Sequence, residues 1–200
     1  MGRLRTLPRR FFDRDPRRVA RALLGKVLVR RRGRKLRAGR IVEVEAYLGE
    51  QDPAAHAAAG LTARNRVLFG PPGHAYVYFI YGNHYCLNVS CLPPGEAGCV
   101  LLRALEPVAG LPEMARARGL RLGATQRELR RLASGPGRLC QALGVTRARD
   151  NGKDFTRSDL EIADDGFRPR KIAVTPRVGI RKAAGRRLRY LIAGNPFVSG

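Results

Sequence analysis

Residues 76–86 read YVYFIYGNHYC, and they hold four of the chain's six tyrosines in a protein without tryptophan. The stretch divides at Gly82-Asn83 into two arms rich in aromatic and β-branched residues, which predicts a β-hairpin around a two-residue turn. Tyr81 then closes the first arm, at or near the tip. Tyr76 and Tyr78 share one side of that arm while Phe79 and Tyr81 share the other, so one pair is free to enter the core and the other to serve a pocket. A hairpin of this kind makes the sheet antiparallel.

Working outward, RIVEVEAYLG (residues 40–49) alternates, with Val42, Val44 and Ala46 on one side and Glu43, Glu45 and Tyr47 on the other. This predicts a half-buried strand carrying two carboxylates roughly 6.5 to 7 Å apart. On the far side of the hairpin, CVLLRALEP predicts a further strand. RRVARALLG predicts a helix running into a strand at KVLVR, residues 111–145 read as helices broken at Gly119, Gly123 and SGPG, and LEIAD, KIAVTPRVGI and LRYLIAGNPFVS return to strand character. Residues 50–73 form a long connection punctuated by Pro53, Gly60 and Pro71-Pro72-Gly73, with at most short helical turns. Residues 1–16, basic and broken by Pro8 and Pro16, suggest a flexible arm. Two hundred residues suit a single domain, and helices mixed with antiparallel hairpins, without βαβ alternation, give an α+β class.

The charge narrows the function. Thirty-nine Lys and Arg against 16 Asp and Glu leave a formal charge of +23, spread along the whole chain. A polyanion is the natural partner, and nucleic acid is favoured over a membrane because neither a basic amphipathic helix nor a spanning apolar run is present. With no signal-peptide pattern the protein is expected to be cytoplasmic or nucleoid-associated. Cys86, Cys91, Cys99 and Cys140 have apolar neighbours and no C-x-x-C spacing, so they read as small buried hydrophobes rather than, with His84, a zinc site.

Three constellations can carry chemistry. A tyrosine at a hairpin tip can wedge between base steps, as in proteins that bend DNA or extract a base from the stack, although packing on the sheet is the plain alternative. Glu43 and Glu45 beside Tyr47 can serve acid–base work; they can also pair with arginines on an exposed face, or join Asp52 around Mg²⁺ in a nuclease. Arg103 interrupts an apolar strand and must meet an anion, with Glu45 or Glu106 as candidates. His56 and Asn88 are polar residues in apolar surroundings, where a structural hydrogen bond suffices.

Taken together, RIVEVEAYLGEQDPAAH, TARNRVLFGPPG, YVYFIYGNHYCLNVS, CVLLRALEP, SGPGRLCQALG, TPRVGI and LRYLIAGNPFVS resemble the alkyladenine DNA glycosylase family, the 3-methyladenine DNA glycosylases of the mammalian type, over residues 20–199. The resemblance implies a monofunctional, cofactor-free and metal-free enzyme, a monomer, that flips alkylated or deaminated purines (3-methyladenine, 7-methylguanine, hypoxanthine, ethenoadenine) from double-stranded DNA and hydrolyses them off. It implies one α+β domain with a curved, mainly antiparallel sheet flanked by helices, from which a DNA-inserting hairpin projects. By the same resemblance Glu45 is the general base, Arg103 and the Val178 carbonyl hold the attacking water, Tyr47, His56 and Tyr78 enclose the base, Asn88 screens its edge and Tyr81 intercalates. The sequence departs from the family at Asn83 and His84, where bulkier apolar or aromatic residues are common, and at Leu188, where many bacterial relatives have tryptophan. The bottom-up alternatives are a nucleic-acid-binding protein without catalysis and a metal-dependent nuclease.

Overall fold

A computed structural model describes residues 3–199. Nine strands, β1 (Arg5–Thr6), β2 (Val27–Arg32), β3 (Lys35–Tyr47), β4 (Ala75–Ile80), β5 (His84–Ser90), β6 (Cys99–Ala109), β7 (Leu160–Asp164), β8 (Ile172–Thr175) and β9 (Arg189–Ile192), form one curled, wholly antiparallel sheet. Its order is β1-β7-β2-β3-β6-β5-β4, with β9 on β3 and β8 beyond it. Five helices, α1 (Pro16–Leu23), α2 (Leu111–Ala117), α3 (Gln126–Ala133), α4 (Pro136–Leu143) and α5 (Arg147–Asp150), complete an α+β domain.

The first helix starts where the sequence says it should. Asp15 caps it by accepting from the Arg17 amide at 2.8 Å, Pro16 occupies the first turn, and Val19, Ala20 and Leu23 turn inward. These side chains meet Val42, Val44 and Ala46 of β3, Leu102 of β6, Leu87 of β5 and Leu139 of α4 in the main core. A smaller cluster of Ala57, Leu68, Tyr76, Ala97 and Cys99 lies under Tyr47 and Tyr78.

The central strand is more enclosed than its alternation predicts. Residues 35–40 of β3 pair with β2, residues 43–45 pair with β9, and β6 runs along the other edge. Both faces are covered, and Glu43 and Glu45 have no exposed surface. An exposed, arginine-decorated strand face is therefore excluded. Of the three register breaks between β3 and β6, the two at Val42 in β3 and Arg103 in β6 shift the pairing beside the carboxylates, where such bulges bend a sheet.

The hairpin turn also differs. Ile80 pairs with His84, so the loop holds three residues, Tyr81, Gly82 and Asn83, rather than the two of Gly82-Asn83, and positive φ falls on Tyr81 (54°) and Gly82 (70°). Asn83 returns its amide to the Ile80 carbonyl at 3.4 Å. Tyr81 is thus inside the turn, in the left-handed region that costs a non-glycine residue about 1–2 kcal/mol.

The proline-broken N-terminal segment is docked rather than free. Arg5–Thr6 pairs with β7, Leu7 and Phe12 are buried, and Arg9 donates to the Pro72 carbonyl and to Asp154. Two apolar anchors five residues apart, the strand pairing and the Arg9–Asp154 ion pair together hold the segment to the domain. Residues 1–2 of that expected arm lie outside the described residues. All four cysteines are buried, as their apolar neighbours predict. Among the described residues no helix is long and apolar enough to cross a membrane.

Candidate active site

A cavity of about 240 Å³ opens on the carboxylate face of the sheet. Strand β3 supplies Glu45 and Tyr47, β4 supplies Tyr76, Tyr78 and Ile80, β5 supplies His84, Cys86 and Asn88, and β6 supplies Cys99, Leu101 and Arg103. His56 comes from the 3-10 turn His56–Ala59, Pro136 and Gly137 from the start of α4, and Val178 from the loop after β8. Glu45, Tyr47, His56, Tyr78, Tyr81, Asn88, Arg103 and Val178, the residues to which the resemblance gives a role, all line it, whereas Glu43 and Asp52 do not.

At the foot of the cavity Glu45 is held by three donors. Its Oε1 accepts from the Val178 amide at 2.8 Å and lies 3.2 Å from Arg103 Nη1, while Oε2 accepts from the Tyr47 hydroxyl at 2.9 Å. Val178 therefore reaches Glu45 through its N–H. Burial, and then the neighbouring Glu45 charge, push the Tyr47 phenol far above its ordinary value, so it remains a donor.

Arg103 meets Glu43 as well as Glu45, with Nε 2.8 Å from Glu43 Oε1. Glu106, the other expected partner, instead accepts from Asn195. Glu43 also takes Arg189 Nε at 2.7 Å and both the amide and hydroxyl of Ser199, at 2.6 and 2.9 Å. Burial works to raise the Glu43 carboxyl, yet the Ser199 contacts and Arg103 outweigh it and hold it below its ordinary range. For Arg103 burial acts to lower the guanidinium, and Glu45 and Glu43 more than offset this. The result is a rigid, charged floor in which Arg103 spans two carboxylates.

The walls are aromatic. The ring of His56 stands edge-on to Tyr78 at 4.6 Å and to Tyr76 at 5.9 Å, and its Nδ1 shares a 2.8 Å hydrogen bond with the Tyr76 hydroxyl. Burial, then the nearby Arg64, lowers the His56 pKa and favours the neutral imidazole. Burial lifts the Tyr76 phenol to about 12 and Tyr78 higher still. Both tyrosines of one β4 face thus serve the pocket, while Phe79 on the other face packs against Tyr85 at 4.9 Å. Asn88 donates to the Tyr76 carbonyl at 3.1 Å and receives the Cys99 thiol at 3.8 Å, so its structural bond fixes a polar group on the cavity wall.

One pair was invisible as a pair in the sequence. Arg177, beside Val178, makes a two-pronged contact to Asp52 at 2.5 and 2.8 Å and donates to the Ala46 carbonyl; both side chains have no exposed surface. Its guanidinium lies 4.6 Å from the Tyr47 ring centre. A scarce aspartate in the loop after β3 and an arginine next to a site residue were the available signals. Asp52 is therefore occupied by a cation and does not join Glu43 and Glu45; among the described residues no three His, Cys, Asp or Glu side chains are placed to share a metal ion.

Gly49 places the Asp52 loop. Its φ is +86°, and a Cβ there would lie 1.9 Å from the Ala97 carbonyl oxygen. Gly49→Ala is expected to lose at least about 2 kcal/mol through backbone strain and overpacking, a fall in melting temperature of at least about 4 °C. A thermal melt equal to the parent's would show that the loop yields freely.

A buried carboxylate with a fixed arginine, under an aromatic-walled slot, in a protein this basic, is an arrangement suited to hydrolysis at a flat ring carried on a polyanion. Residues 10–196 match the family model of methylpurine-DNA glycosylase. The chain is 64% identical over 202 residues to a protein of Koribacter versatilis, with 100% of this chain and 96% of that one aligned. It is 49% identical over 197 residues to one of Burkholderia lata (97% and 91%) and 50% over 198 residues to one of Methanoculleus marisnigri (97% and 98%). All three bear the name "Putative 3-methyladenine DNA glycosylase". The chain belongs to the methylpurine-DNA glycosylase family and is a monofunctional DNA glycosylase, with DNA as its polyanion.

Proposed function

We propose that the protein removes alkylated and deaminated purines from duplex DNA, 3-methyladenine and 7-methylguanine among the cationic ones and hypoxanthine and ethenoadenine among the neutral ones, leaving an abasic site. The observation that carries this reading is Glu45, fully buried at the foot of the tyrosine-walled cavity with its donors fixed. A carboxylate offers about four acceptor positions. Val178 N–H and Arg103 face Oε1 and Tyr47 faces Oε2, so one acceptor position, on Oε2, is left for a water.

A water bound there gives its proton to Glu45 as its oxygen bonds to the sugar's C1′, and the C1′–N bond breaks with its electron pair leaving on the purine. Positive charge grows on the sugar as the base departs, and the nearby carboxylate stabilises it. An alkylated, cationic purine leaves as a neutral base. A neutral purine needs a proton or hydrogen bond to leave, so the two classes should differ in rate. Tyr47 and Tyr78 supply faces for the ring, on the order of 0.5–2 kcal/mol per contact with a cationic one, and Asn88 limits what fits at its edge.

Tyr81 is the expected wedge. Its side chain is 79% exposed and its φ is left-handed, a strained position with no packing to reward it. Tyr81→Gly should relieve that strain, leaving the melting temperature equal or higher, yet weaken capture of an extruded base about tenfold, in line with about 1–3 kcal/mol for stacking an aromatic side chain on a base. Unchanged extrusion, read by a fluorescent base analogue, would remove the wedge.

The deciding experiment incubates the protein with EDTA and a labelled duplex carrying one hypoxanthine or one ethenoadenine, followed by alkali; methylated DNA serves as a second substrate. Strand scission that appears only after alkali is the expected result. Tight binding without base release on all substrates would favour a binding protein, and cutting lost on chelation a nuclease.

A further inference from the structure

A second cleft, of about 340 Å³, lies at the other end of the strand that carries the catalytic floor, between the β2–β3 hairpin and the junction of α4 with α5. Lys35 and Glu45 are ten residues apart on β3, about 33 Å of strand. The lining is almost wholly cationic: Arg30, Arg32, Lys35, Arg37 and Arg149, with Gly144 between them.

The register explains why this is unusual. Arg30 pairs directly with Arg37 and Arg32 with Lys35, two successive like-charge cross-strand pairs on one face of the hairpin. Like charges placed opposite one another destabilise a sheet. Arg30 is neutralised from below by Asp150 and Asp159, both at 2.8 Å. Among the described residues Arg32, Lys35, Arg37 and Arg149 have no ion-pair partner; Arg37 rests on the Ala142 carbonyl at 2.8 Å. Burial and then the crowding of Arg32 and Arg30 lower the Arg37 pKa, against partial relief from Glu113. A Cβ on Gly144 would sit 3.5 Å from Arg37 Nη1 and 3.8 Å from Arg149 Nη1, so the two guanidinium groups converge across a residue that offers no side chain.

We propose that this cleft is a second DNA contact, which takes phosphodiester groups of a duplex backbone away from the base-reading cavity. A backbone fits because consecutive phosphates repeat along an edge, as the cations do here, and arginine forks match phosphate oxygens. The contact carries no sequence information and acts on holding DNA, whichever chemistry Glu45 performs.

The test is the triple variant R32A/K35A/R149A, whose three side chains are exposed, against R121A/R127A/R131A, which removes the same charge from exposed positions elsewhere. Binding of an undamaged duplex is measured across a salt series. At about 0.9 per phosphate contact, loss of the cleft should lower the slope of log affinity against log salt by about 2 to 3, and the control variant should lower it by less than half as much. Base release from a damaged duplex at saturating protein should stay within twofold of the parent. Equal slope losses in both variants would reduce the cleft to general positive charge and overturn the proposal. So would a slope unchanged in the cleft variant while millimolar orthophosphate raises the melting temperature of the parent alone, which would make it a small-anion site. A more than tenfold loss of release at saturation would also overturn it, by making the cleft part of the reaction. If the parent releases no base from any substrate, the role of Glu45 fails, while the salt slopes still decide the cleft.

Discussion

Glu45→Gln is expected to lower single-turnover base release by at least about 10³-fold while binding to damaged duplex stays within a few-fold of the parent. General-base catalysis contributes about 10²–10⁴-fold, and the loss of a fixed charge beside a developing cation adds to it. The substitution is nearly isosteric, and the site can accommodate it. With the amide oxygen kept toward Val178 N–H and Arg103, the new NH₂ group faces the Tyr47 hydroxyl, which can accept as well as donate. Arg103 keeps Glu43 as its partner at 2.8 Å, so no buried cation is orphaned. The melting temperature should therefore hold while chemistry fails. A variant that releases base within tenfold of the parent rate in a single turnover would remove Glu45 from the reaction.

Much of this site is legible in the sequence, and the parts that are not share one cause. Alternation in VEVEAY put Glu43, Glu45 and Tyr47 on one side of a strand, and the tyrosine-rich arms around Gly82 gave the hairpin that walls the cavity, because both patterns are local. Burial of the carboxylate side was not legible, since it is closed by Val178, Arg189 and Ser199, more than 130 residues away in sequence. Arg103 was recognisable as a cation in need of an anion; its choice of Glu43 together with Glu45 over Glu106 depends on the register breaks at Val42 and Arg103. The dipeptide Gly82-Asn83 signals a two-residue turn, but the loop also takes in Tyr81, because two left-handed positions are needed and glycine fills only one, the other falling to Tyr81 at an energetic cost. The N-terminal segment reads as a flexible arm because its charge and prolines dominate its composition, whereas its anchoring rests on the burial of Leu7 and Phe12, on the pairing of Arg5–Thr6 with β7 and on Arg9 against Asp154, contacts whose partners lie far away in the chain.

Asp52→Ala is expected to lower stability by about 3–5 kcal/mol, since it leaves the Arg177 guanidinium buried without its anion. For a chain of this length that is a fall in melting temperature of roughly 6–20 °C. Asp52→Ala with Arg177→Met should recover much of the loss, because removal of both charges leaves no uncompensated ion; a double variant no better than the single one would place the cost elsewhere in the loop. The pair also sets an acid limit. Burial alone would raise the Asp52 carboxyl, but Arg177 and the Leu48 and Ala54 amides hold it below the ordinary aspartate value of 3.8. A group whose folded pKa is depressed contributes its stability in full above the unfolded value and loses it as pH falls through the folded one. The parent should therefore lose stability on acidification below about pH 4 with a steeper slope than Asp52→Ala, which has no such proton to take up; parallel curves would show that the pair contributes nothing to acid unfolding. The same pair bears on catalysis through geometry. Arg177 precedes Val178 in the chain and lies against the Tyr47 ring, and these two residues supply two of the three donors that hold Glu45. Once Asp52 is gone, the residual activity of the folded fraction should fall even below the melting transition, because Val178 and Tyr47 are then free to drift from the carboxylate they position.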